Sequence, residues 1–93
     1  MWSDTVIDTL IRQGVSYFII SPGSRSTPLT LAAARHPDAT TVIAYDERGA
    51  AYHAVGYARA TARPAVLICT SGTAAANYLP AVTEASNDAL PLI

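Results

Sequence analysis

Apolar residues along this chain fall into two alternating rhythms, short runs and longer stretches at helical spacing. That alternation predicts crossover units that build a parallel sheet. Val6, Ile7, Leu10 and Ile11 sit at helical spacing behind Ser3 or Asp4 as a cap, and Gly14 suits the position just past a helix end. Residues 15–20 read as a strand covered on both faces, followed by the breaker-rich loop Ser21-Pro22-Gly23-Ser24-Arg25-Ser26. Thr27 as cap with Pro28 at the first helical position predicts a helix through Leu29, Leu31, Ala32 and Ala33 that ends at His36-Pro37.

The unit then repeats. Residues 41–45 form the second strand, Asp46 the cap, and 47–60 a helix ending near Pro64. On this helix Glu47, Ala50, Ala51, Ala54 and Ala58 share one stripe, and small side chains there permit close packing. Residues 65–69 are the third strand, Thr70-Ser71-Gly72 the turn, and 73–86 a helix in which Pro80 deletes a backbone hydrogen bond and should produce a kink. After a turn at 87–90, Pro91, Leu92 and Ile93 look like the opening of a fourth strand. A parallel strand stopping there would leave its neighbour partly unpaired, so residues 1–93 are expected to be the N-terminal part of a longer domain. The expected fold is α/β, with helices on both faces of a parallel sheet.

Ninety-three residues limit the chain to one small domain, and a composition 51% apolar and 14% charged is that of a chain with a core. The formal net charge is −1 and the six basic residues are scattered arginines, which excludes the electrostatic footprint of nucleic-acid or anionic-membrane binding. No apolar run approaches the roughly 20 residues of a membrane span. A single Cys69 and an acidic start without a basic leader fit a cytoplasmic setting. His36 and His53 have no cysteine partner, so no metal site is expected from them.

In open α/β sheets ligands bind beyond the carboxyl ends of the strands. Here the polar residues and glycines of three loops gather at such positions: 21–27, 46–48 and 70–73. No Walker A motif and no G-x-G-x-x-G follows a strand, so a P-loop nucleotidase and a dinucleotide fold are set aside. Arg25, among serines beside Gly23, fits either a solvated turn or an anion site for a carboxylate or phosphate. Glu47 fits either a helix-start acid stabilised by the macrodipole or a carboxyl in a dry cleft, able to exchange a proton with a ligand nitrogen. Ser71, Gly72 and Thr73 fit a turn and cap, or a backbone that approaches a flat ligand closely. Composition does not choose among these.

Taken together, SPGSRSTPLTLAAARHP, YDERGAAYHAVGYARA and CTSGTAAANYLPAVTEA resemble, in order and spacing, the N-terminal pyrimidine-binding domain of thiamine diphosphate enzymes. Among these, the chain most resembles the menaquinone-pathway 2-succinyl-5-enolpyruvyl-6-hydroxy-3-cyclohexene-1-carboxylate synthases, from about residue 7 to 93. The resemblance implies decarboxylation of 2-oxoglutarate on the cofactor and addition of the product to isochorismate. It assigns to Glu47 the cofactor-activating role at the aminopyrimidine, to Ser24 and Arg25 contact with substrate carboxylates, and to Gly72, Thr73 and Asn77 places beside the pyrimidine. It implies Mg²⁺ held with the diphosphate in a separate domain, since no G-D-G motif exists in this chain. It also implies a homodimer or homotetramer, with a site completed by another subunit, so that this segment alone is expected to be inactive. Two alternatives stand beside it: a non-catalytic assembly module, and an acetolactate-synthase-type enzyme. Arg25 argues against the second, because a substrate with several carboxylates needs a guanidinium that a pyruvate site does not.

Overall fold

The computed structural model describes residues 2–93. β1 (Tyr17–Ile20), β2 (Thr40–Ile43) and β3 (Val66–Ile68) run parallel in the order β2-β1-β3, with Ile20 opposite both Ile43 and Ile68. Alternation along the central strand divides two cores. Phe18 and Ile20 join Val66 and Ile68 under α1 (Trp2–Arg12) and α2 (Thr27–Arg35), while Ile19 turns to the other face and packs on Ala50 and Ala54 of α3 (Glu47–Thr61). A third cluster joins Ala51 and Val55 of α3 to Ala81 and Ala85 of α5 (Leu79–Asn87). The expected three-layer α/β/α arrangement is present, and the alanine stripe is what lets α3 lie flat between sheet and α5.

The ends of the elements follow local chemistry. Gly14 adopts φ +86°, and Val15 N donates to the Leu10 carbonyl while Gly14 N donates to Ile11, the paired bonds that satisfy a helix's last carbonyls. Asp46 is the N-cap of α3, its carboxylate accepting from Arg48 N at 3.3 Å. Several expectations shift. α1 begins at Trp2, so Ser3 and Asp4 lie inside its first turn rather than before it. Ser26 is the N-cap residue of α2, which puts Thr27 first and Pro28 second in that helix.

The helix expected over 73–86 does not kink at Pro80; it stops and restarts. α4 (Thr73–Ala76) is one turn, and α5 begins at Leu79 with Pro80 in its first turn. There the missing N–H has no intrahelical partner to lose. Asn77 Nδ2 donates to the Thr73 carbonyl at 2.9 Å, a side-chain bond that helps close the short helix. β2 is an exposed edge strand, with Ile43 51% accessible. On the opposite side, Leu92 bridges Ala65 in parallel, Leu67 N donates to the Ile93 carbonyl at 2.8 Å and Ile93 N to the Ala65 carbonyl at 3.2 Å.

Candidate functional site

The carboxyl ends of the three strands lead into the three polar loops, and two of these press directly on each other. After β1, Ser21 N donates to the Ile68 carbonyl at 2.9 Å, holding the loop start against the end of β3. Gly23 then passes so close to Thr70 that a β-carbon there would lie 2.5 Å from Thr70 Cβ. Glycine is required at this point by proximity, since its φ of −175° is open to any residue. Ser26 Oγ donates back to the Gly23 carbonyl at 2.8 Å and closes a 3₁₀ turn over Ser24–Ser26. Ser24 and Arg25 project from that turn; both are exposed, and Arg25 makes no ion pair among the described residues. An exposed, unpaired guanidinium beside serine hydroxyls can take a carboxylate without first breaking an internal bond.

The loop after β3 carries Gly72 and Thr73, both exposed, with Gly72 at φ +82° and open space where a side chain would stand. A bare backbone in that conformation admits a flat group edge-on. Asn77 is exposed as well; one N–H of its amide is engaged with the Thr73 carbonyl, which leaves the second N–H and the carbonyl oxygen to offer a ligand.

Glu47 opens α3 and is half-buried. One turn further along the same face lies Ala51, fully enclosed in the cluster against which Tyr78 packs. Tyr78 is the residue that reading the sequence missed. An aromatic in a helical pattern reads as core, and the only sequence signal was a hydroxyl where phenylalanine would have sufficed. Its hydroxyl is sealed from solvent and meets no partner at ordinary hydrogen-bond geometry. Burial pushes the phenol above its ordinary value, and the neighbouring Cys69 and Glu47 add to the shift.

A second orphan lies nearby. Ser21 is 1% accessible and its Oγ has no partner. Alternation from Ile19 turns Ser21 to the α3 side of the sheet, and the β1–β3 register carried one residue further puts it beside Cys69. With Thr30 Oγ1 on α2, these are the buried side-chain oxygens without a partner among the described residues, and each is costly in a finished core unless a polar group meets it. Among the described residues no cluster of three or more His, Cys, Asp or Glu side chains is placed to hold a metal ion, and no helix is long and apolar enough to cross a membrane.

Comparison with known proteins places the chain in a family. The family model described as thiamine pyrophosphate enzyme, N-terminal TPP binding domain, matches residues 2–93. Proteins named 2-succinyl-5-enolpyruvyl-6-hydroxy-3-cyclohexene-1-carboxylate synthase are similar over all 93 residues: 62% identical in Chlorobium phaeovibrioides, 63% in Pelodictyon phaeoclathratiforme and 61% in Prosthecochloris aestuarii. The chain covers 100% of itself but only 16% of the length of each of these relatives.

Proposed function

We propose, for a chain that belongs to the thiamine pyrophosphate enzyme family as its N-terminal TPP binding domain, that the face carrying Glu47 at the start of α3 receives the aminopyrimidine of thiamine diphosphate. In this reading the enzyme is a synthase that decarboxylates 2-oxoglutarate and joins the product to isochorismate in menaquinone biosynthesis; support comes from relatives named 2-succinyl-5-enolpyruvyl-6-hydroxy-3-cyclohexene-1-carboxylate synthase. The observation that carries it is the position of Glu47: a half-buried carboxyl at a helix start, one turn from Ala51 on the face of α3 against which Tyr78 packs. The unmet Ser21 and Tyr78 hydroxyls and the open backbone at Gly72 fit a flat heterocycle that both donates and accepts hydrogen bonds.

When bound, the cofactor supplies the acidic thiazolium carbon on which decarboxylation and carbon–carbon bond formation take place. The chain's own residues do the rest. Glu47 shares a proton between its carboxyl and a pyrimidine ring nitrogen, an exchange favoured where water is scarce. Gly72 and Thr73 border the ring, with Asn77 tied to the Thr73 carbonyl beside them. Arg25 and Ser24 bind substrate carboxylates, the guanidinium through paired N–H donors. Mg²⁺ and the diphosphate are assigned to a domain outside these 93 residues. With it go a homodimeric or homotetrameric assembly and a cytoplasmic setting. Residues 91–93 are read as the start of a fourth strand of a longer domain.

The test is Glu47→Gln in the full-length polypeptide. Turnover of 2-oxoglutarate and isochorismate lost with assembly unchanged supports the reading. Unchanged turnover reduces Glu47 to a helix-start acid and favours the assembly module.

A further inference from the structure

We infer that His36 is a pH-operated tie: neutral, its ring joins α1, the end of α2 and the turn into β2, and a second proton on the ring releases the turn while the hold on α1 is kept. His36 is the residue at which α2 ends, in extended backbone at φ −74° and ψ 127°. Asp38 N donates to its Nδ1 at 3.1 Å, so Nδ1 carries a lone pair and the single ring proton of the neutral form sits on Nε2. Nε2 lies 3.2 Å from Asp8 Oδ1, in the middle of α1, and donates to it. One tautomer satisfies both contacts; the other satisfies neither.

The turn held in this way feeds the sheet directly. Ala39 N donates to the His36 carbonyl at 3.3 Å, and Thr40 N to the Ser16 carbonyl at 2.8 Å, where β2 meets β1. A second proton can enter the ring only at Nδ1. The Asp38 N–H then meets another N–H, and flipping the ring presents a carbon in its place, so no orientation restores the bond. The contact with Asp8 responds in the opposite sense, because an imidazolium facing a carboxylate makes a charge-assisted bond. Asp8 keeps its other oxygen on Arg12 at 2.7 Å. Asp4 of α1 and Arg35 of α2 line the same cavity of about 450 Å³ as Asp8 and His36, which gives the ring room to lean toward α1, and Asp38 on the turn is exposed. The His36 side chain is 19% accessible, so a proton reaches it without unfolding.

The test is hydrogen–deuterium exchange of the full-length polypeptide, read by mass spectrometry with fragmentation to single residues and corrected for the intrinsic pH dependence of amide exchange. Between about pH 8 and about pH 5, the range in which imidazole takes up its proton, exchange at the Asp38 amide should rise about fivefold, the loss of one ordinary hydrogen bond. His36→Phe removes both ring contacts and should show the faster rate throughout. His36→Asn should show the slower rate throughout, because its side-chain oxygen can accept from the amide two residues on, as Asp46 does from Arg48 N at 3.3 Å, and its amide does not titrate. Where His36→Phe fails to fold, the other two proteins decide. An Asp38 rate that does not change with pH in the unaltered protein overturns the inference. So does a step that survives in His36→Asn, which puts its origin outside the ring, or an equal rise at the amides of α3, which marks general loosening.

Discussion

Replacing Gly23 with alanine tests whether the loops after β1 and β3 are held in contact, the feature that joins two of the three polar loops into one surface. The added β-carbon would stand 2.5 Å from Thr70 Cβ, 2.9 Å from its Cγ2 and 3.1 Å from its Oγ1. Rotating the threonine relieves the last two but not the first, because Cβ is fixed to the backbone, so one loop must move. Backbone torsion adds nothing to the cost, since φ is −175°. Overpacking of this kind costs about 1–3 kcal/mol. In a domain of this size each kcal/mol lowers the melting temperature by about 4–8 °C. Thr70→Gly deletes all the clashing atoms and by itself costs up to about 1 kcal/mol through added chain freedom. Urea unfolding of the four proteins in the double-mutant cycle, followed by circular dichroism, should place the double variant close to Thr70→Gly alone, with a coupling of at least about 1 kcal/mol. Gly23→Ala with the stability of the unaltered chain, or strictly additive costs, would refute the contact.

Two further perturbations bear on the scaffold. Asp46→Ala removes the acceptor for Arg48 N and should cost about 1 kcal/mol in the same unfolding assay, recovered in large part by Asp46→Ser or Asp46→Asn. Asp8 accepts from His36 at 3.2 Å and pairs with Arg12 at 2.7 Å; the His36 bond first, then the Arg12 charge, hold its carboxyl below the usual value of 3.8. A lowered folded-state value means stability that is fully present above the unfolded value and lost as pH falls through the folded one. Melting curves from neutral pH down to below pH 4 should therefore fall more steeply for the unaltered chain than for Asp8→Asn; parallel curves would contradict this.

The parallel sheet was legible because apolar strands and helical periods alternate, and because caps and stops such as Asp46 and Gly14 act through bonds to their immediate neighbours. What the sequence hid depends on partners distant in the chain. Residues 40–43 carry the same β-rich pattern as a covered strand, yet they lie at an edge, which only the strand order decides. Pro80 announces a broken ladder without saying whether the helix bends or restarts. The single side-chain bond from Asn77 to Thr73, together with the tolerance of a first turn for proline, accounts for the restart. In the site, the motif-bearing Glu47, Arg25 and Gly72 could be named from their loops. Tyr78 and Ser21 could not, because their meaning comes from being buried and unpaired where β1, β3 and α3 converge.

The central claim is that Glu47 exchanges a proton with the cofactor's aminopyrimidine. Its most direct measure is the rate of hydrogen–deuterium exchange at the thiazolium carbon of thiamine diphosphate bound to the full-length polypeptide, read by quenched-flow and proton NMR. Glu47→Gln, with cofactor still bound, should slow that exchange by at least about 100-fold. An exchange rate equal to that of the unaltered protein would contradict the account.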